Sequence, residues 1–154
     1  MKHEILFLGK TKDKFLRIGI EDFASRLKHY TNFDISVVKD SSGSRSDSKT
    51  IEKQGQLLLK SVPAGAFKVV LDAGGKDFSS ESFSEQVTKW EMQGIKQVSY
   101  LIGGPDGHGP AVLKEADLKL SISRMTFTHD MVRLLLVEQL YRAYTIKAGE
   151  RYHK

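Results

Sequence analysis

The sequence predicts an α/β fold, with a mainly parallel sheet covered by helices on both faces. Three observations lead there. Short runs of branched apolar residues alternate with stretches of helical periodicity, two of those runs end in paired glycines, and the chain closes on a long helical segment. With 154 residues, 40% of them hydrophobic, the expected organisation is one domain over residues 1–154 around one core.

The first strand is "EILFLG", centred on Ile5. Its apolar run is too short for the core of a signal peptide, and no small-residue cleavage site follows. Phe15, Ile18, Ile20, Phe23 and Leu27 then fall on one helical face, and "DISVVK" near Val37 is the second strand. The serine-rich "KDSSGSRSDSK", Lys39 to Lys49, reads as a surface loop, with a phosphate-contacting loop as the alternative. A second helix is expected over 48–59. "FKVVLD", Phe67 to Asp72, makes the third strand, and a third helix opens at "SFSEQVTKW", where Ser82 and Glu85 have capping-box spacing. "QVSYLIG", Gln97 to Gly103, is the fourth strand. A short strand in "LSISRMTFTHD", Leu120 to Asp130, leads to the final helix, which Thr128 can cap.

That last helix carries apolar residues at Val132, Leu135, Leu136, Leu140 and Tyr144, and Gly149 offers its stop. Leu134 and Val137 widen the apolar surface beyond one stripe, so burial on two sides is expected. A partner subunit is one source of the second side.

Composition excludes several classes of function. There is no cysteine, so disulfides, thiolate metal sites and thiol catalysis are all ruled out, and a reducing cytoplasm fits. No stretch approaches the roughly 20 apolar residues of a membrane helix. The five histidines, His3, His29, His108, His129 and His153, show no ligand spacing, so no metal is expected. Net charge is +5, and the excess sits at the two ends, because residues 61–123 carry more acid than base. Such a distribution suits a polyanion and equally suits a solvated basic surface.

The chemistry is carried by the glycine turns. In an open parallel sheet, ligands bind at the carboxyl ends of strands. "LIGGPDGHGP", Leu101 to Pro110, and "VVLDAGGKDFSS" each run from an apolar strand into paired glycines, which lets backbone approach a ligand closely. With Leu120 to Asp130 they make three segments of one possible pocket. Gly104, Gly107 and Gly109 do not have G-x-G-x-x-G spacing and there is no Walker lysine, so dinucleotide and P-loop readings lack their motif. Along the final helix His129 and Arg133, then Glu138 and Arg142, stand at i, i+4; ordinary surface ion pairs are the bland account of both.

"LIGGPDG", "LSISRMTFTHDMVRLLLVEQLYRAYTI" and the closing "YHK" resemble the RlmH family of SPOUT methyltransferases, over essentially the whole chain. The resemblance implies a C-terminal trefoil knot, which no pattern of residues would suggest. It implies S-adenosyl-L-methionine as cofactor, held by Leu71, Gly103, Ile122, Ser123, Arg124, Met125, Thr126 and Phe127. It also implies methylation of N3 of a pseudouridine in 23S ribosomal RNA, by a cytoplasmic homodimer acting on the ribosome, with no DNA and no membrane partner. This chain has Thr128 where many relatives have proline, and His108 where an apolar residue is common.

N3 of pseudouridine is an imide nitrogen that must lose its proton, so a base or orienter is needed. Arg142, His153 and His129 are the expected catalytic residues, and Arg133, Glu138 and Tyr152 the expected substrate-binding ones. An exposed, frayed tail is the plain alternative for Tyr152 and His153. Two rival functions remain at this level: a SPOUT enzyme acting on transfer RNA, and a non-catalytic RNA-binding or ribosome-associated domain.

Overall fold

The computed structural model describes residues 1–43 and 46–154; positions 44 and 45 of the serine-rich loop lie outside the described residues. Five strands form one sheet, β1 (Lys2–Leu8), β2 (Asn32–Val38), β3 (Phe67–Asp77), β4 (Gln97–Ile102) and β5 (Leu118–Ser121). Their order is β2-β1-β4-β3-β5 and every pairing is parallel. Four helices connect them, α1 (Lys14–Leu27), α2 (Ser48–Ser61), α3 (Ser80–Met92) and α4 (Pro110–Glu115), and α5 (His129–Lys147) follows the last strand.

Strand alternation sorts the core into two layers. Ile5, Phe7, Val69, Val98, Tyr100 and Ile102 point to one face, where Ile20 and Leu27 of α1, Val87 and Trp90 of α3, and Leu136 and Leu140 of α5 cover them. Leu6, Leu8, Val70 and Leu101 point to the other, against Leu58 of α2 and Val112 of α4. Helices therefore cover both faces, as the alternating pattern predicts.

Three details differ from expectation. The third helix starts earlier than the Ser82–Glu85 spacing suggests, because Ser79 caps it by accepting from the Ser82 N–H at 3.1 Å. α4 is unforeseen; Pro110 opens it at a first-turn position where a missing N–H costs nothing. β3 does not end at Asp72. It bulges over the following residues and rejoins β5, so that Leu120 is paired with both Leu71 and Lys76. Gly75 permits that return, since a Cβ there would stand 2.7 Å from the Lys119 carbonyl carbon.

A buried polar cluster ties β1 to α5 at the amino end of the sheet. His3 is fully buried and bonds the Tyr100 hydroxyl at 3.0 Å and the Tyr144 hydroxyl at 2.9 Å. Burial pulls its pKa down to about 3, so it is neutral in the folded protein at ordinary pH. Among the described residues, no helix is long and apolar enough to cross a membrane.

Candidate active site

The carboxyl ends of β4 and β5 and the bulge of β3 converge on a cavity of about 660 Å³, a volume suited to a cofactor-sized ligand. Seven of the eight residues expected to hold the cofactor line it: Leu71, Gly103, Ile122, Ser123, Met125, Thr126 and Phe127. Arg124 does not. Its exposed side chain turns outward to Asp77 at 3.2 Å, so it belongs to the rim rather than the wall.

The glycine loop after β4 is built as a turn. Gly107 N–H donates to the Gly104 carbonyl at 3.0 Å, with Pro105 at the second position, where a fixed φ near −65° is favoured. Gly107 then takes φ +75°, the left-handed region that glycine occupies without penalty. Gly103 is needed for a different reason: a Cβ on it would lie 2.8 Å from the Gly107 carbonyl oxygen. His108 braces the turn through its Nε2, 3.1 Å from the Leu101 carbonyl, which must accept from an N–H there. Burial lowers the His108 pKa, consistent with a neutral ring.

The segment from Ile122 to Thr128 is held by local bonds. Ser121 donates to the Ser123 carbonyl, the Met125 N–H donates to Ser123 Oγ, and Thr128 Oγ1 caps α5 by accepting from the Met131 N–H at 3.3 Å. Met125 and Phe127 are left exposed at the cavity, a placement that an apolar or aromatic ligand would cover. The wall is mostly aliphatic, with backbone polar groups supplied by the loops. That lining suits a largely apolar or aromatic ligand, and it offers no cluster of cations for a phosphate.

His129 also lines the cavity. Burial lowers its pKa first, and the neighbouring Arg133 acts in the same direction, so near neutral pH it is an uncharged ring able to accept a proton. Beside it, Asp130 secures the β1–α1 loop, its Oδ2 accepting the Lys12 N–H at 3.1 Å.

Arg133 is placed otherwise than the sequence suggests. It is 0% exposed; its guanidinium donates to the Leu8 carbonyl at 2.8 Å and to Thr11 at 3.0 Å, and lies 4.5 Å from the Phe7 ring centroid. Asp130 Oδ1 stands 3.2 Å away as its counter-charge. A side chain so enclosed reaches no RNA phosphate, and its role is to join α5 to β1. The i, i+3 spacing of Asp130 and Arg133 was the available signal; the i, i+4 spacing with His129 pointed elsewhere.

The remaining candidates gather at the other end of α5. Glu138 Oε1 accepts from Arg142 Nη2 at 2.6 Å, from Arg142 Nε at 3.1 Å and from the Tyr152 hydroxyl at 2.9 Å. Arg142 covers the Tyr152 ring at 4.7 Å, and its Nη1 lies 3.3 Å from His153 Nδ1. His153 Nε2 lies 2.7 Å from Glu81 Oε1, at the start of α3. The Glu81 carboxyl is held down at about 2 by its own backbone N–H, then by His153 and Ser79. The tail is therefore packed rather than frayed. Arg142 lies thirteen positions beyond His129 and ten beyond Val132, both of which line the cavity, so at 1.5 Å per residue it stands about 15–20 Å along the helix from it.

A family model described as "Predicted SPOUT methyltransferase" matches residues 1–153. The chain belongs to the SPOUT methyltransferase family. It is 58% identical over its full length, and that of the relative, to a ribosomal RNA large subunit methyltransferase H of Desulfotalea psychrophila. Proteins of the same name from Christiangramia forsetii and Halothermothrix orenii are 43% and 42% identical, with 99% and 100% of both chains covered. SPOUT membership and the all-parallel α/β sheet thus agree.

Proposed function

We propose that this SPOUT protein methylates N3 of a pseudouridine in 23S ribosomal RNA, using S-adenosyl-L-methionine, in the cytoplasm and on the assembled ribosome. The observation that carries the reading is the cavity at the carboxyl ends of β4 and β5 and the bulge of β3, lined by seven of the eight positions that the family resemblance assigns to the cofactor. Leu71, Ile122 and Phe127 would enclose the adenosyl group, and the backbone around Gly103 and Met125 would meet its polar edge. When bound, the cofactor supplies a methyl group on a positively charged sulfur. We also read the segment after β5 as the threaded part of a trefoil knot, within a single domain over residues 1–154.

The chain's own residues must then align the pseudouridine and manage its N3 proton. His129 lies at the cavity, whereas Arg142 stands about 15–20 Å from it along α5, with Glu138, Tyr152 and His153 gathered around it. Both groups can serve one reaction if a second subunit brings its tail to the first subunit's cavity. A homodimer fits two further features: Phe15 and Ile18 are 82% and 52% exposed on α1, and α1 packs beside α5. An apolar face of this kind on a small protein suits the docking of a second copy, which supports the homodimer reading.

The test is methyl transfer from labelled S-adenosyl-L-methionine to ribosomes, separated subunits and transfer RNA, followed by mapping of the modified base. Label at N3 of a large-subunit pseudouridine is the expected result. Label confined to transfer RNA would overturn the substrate, and no label would favour a non-catalytic RNA-binding domain.

A further inference from the structure

Glu81 lies outside the cavity and outside the sequence signals, yet it makes the closest contact of the tail imidazole. The donor inventory around His153 fixes that ring's chemistry. Arg142 is a donor only, so the ring nitrogen facing it, Nδ1 at 3.3 Å, must present a lone pair. The Glu81 carboxylate is an acceptor only, so the nitrogen facing it, Nε2 at 2.7 Å, must carry the hydrogen. His153 is thus held as the neutral Nε2–H tautomer. The groups that face it are Glu81 from α3, Arg142 from α5 with Glu138 behind it, and Tyr152 of the tail.

α3 is braced in turn against the same network. Ser80 Oγ donates to Gln139 Oε1 at 2.7 Å, and Gln139 Nε2 donates to Glu138 Oε2 at 2.7 Å. The first turn of α3 therefore grips both ends of the Glu138–Arg142–His153 chain, which positions the tail against α5.

We propose that Glu81 is a positioning residue for methyl transfer, setting the His153 tautomer so that Nδ1 is the basic atom of the ring, masked by Arg142 until substrate draws the guanidinium away. The proposal rests on the function argued above. In the step concerned the imide N–H bond of the target base breaks, the proton passes to Nδ1, and the electron pair stays on the base nitrogen. The ring then carries one positive charge, which the Glu81 carboxylate at Nε2 stabilises, as an orienting carboxylate does for a histidine base.

Two measurements on the full-length protein test this. Long-range ¹H–¹⁵N correlation of the imidazoles at pH 8, with His153→Asn for assignment, should show Nε2 protonated and Nδ1 bare in the wild type, and a mixture of tautomers in Glu81→Ala. Methyl transfer to ribosomes by Glu81→Ala should fall at least about tenfold in kcat, within the roughly 10²–10⁴-fold contributed by a general base itself, with the KM for S-adenosyl-L-methionine unchanged. Glu81→Gln keeps an acceptor oxygen at the same reach and should restore part of the rate. A wild-type His153 protonated at Nδ1 overturns the tautomer assignment. An active wild type with an equally active Glu81→Ala overturns the positioning role alone, whereas an inactive wild type overturns the proposed function and the role that rests on it.

Discussion

Gly103 and Gly107 face each other across the turn after β4 so closely that a Cβ on the first would stand 2.8 Å from the carbonyl oxygen of the second. The same Cβ would lie 3.2 Å from His108 Cε1, so the obstacle is backbone on one side and a braced imidazole on the other. Gly103→Ala should therefore push the turn out of place before its methyl group meets any ligand. Affinity for S-adenosyl-L-methionine, measured by calorimetry, is expected to fall at least about tenfold, or about 1.4 kcal/mol, with the fold retained. Unchanged affinity would show that this turn does not shape the cofactor's site.

Arg133 and Asp130 are both buried, and removing the cation leaves an uncompensated carboxylate. Arg133→Met should cost about 3–5 kcal/mol in urea unfolding. Adding Asp130→Asn should recover much of that loss, because the amide oxygen still accepts from the Lys12 N–H while no charge remains. A single variant as stable as wild type would remove the account of α5 being pinned to β1 here.

The neutral His3 makes stability depend on acid. Its folded pKa, about 3, lies below the ordinary value of 6.5, so the unfolded chain binds the extra proton. This contribution is fully present above pH 6.5 and is lost progressively as pH falls toward 3, at about 1.4 kcal/mol per unit. Urea unfolding at pH 8, 6 and 4.5 should show that slope, and His3→Gln should reduce it by about one proton. Equal slopes in the two proteins would move the acid sensitivity elsewhere.

Deletion of Tyr152 to Lys154 removes the ring under Arg142 and the imidazole between Arg142 and Glu81. None of the three lines the cavity. The truncated protein should bind S-adenosyl-L-methionine as before and lose RNA methylation by about a hundredfold or more, the range of an acid–base contribution. Full activity would make the tail a structural clasp only.

Much of this architecture is readable from the chain alone. Branched apolar runs at Ile5, Val37, Val69 and Leu101 mark β1 to β4, and the periodicity from Val132 to Tyr144 marks α5, because strand alternation and helical repeat are local consequences of burial. The cavity segments were also legible. The glycine turn after β4 and the stretch before Thr128 each follow a strand, and a parallel sheet must bring such carboxyl ends together, whereas the Gly74–Gly75 pair lies within the bulge of β3. Tertiary structure alone decided the rest. Arg133 looks like a surface cation until Phe7, Leu8 and Thr11, more than a hundred residues earlier, enclose it. Glu81 sits in the first turn of α3, and its contact with His153 exists only once the tail folds back on that helix. The extension of β3 past Asp72 likewise required β5 to be in place beside it. Periodicity records which side of an element is buried, whereas the identity of a buried charge's partner depends on packing between segments distant in the chain.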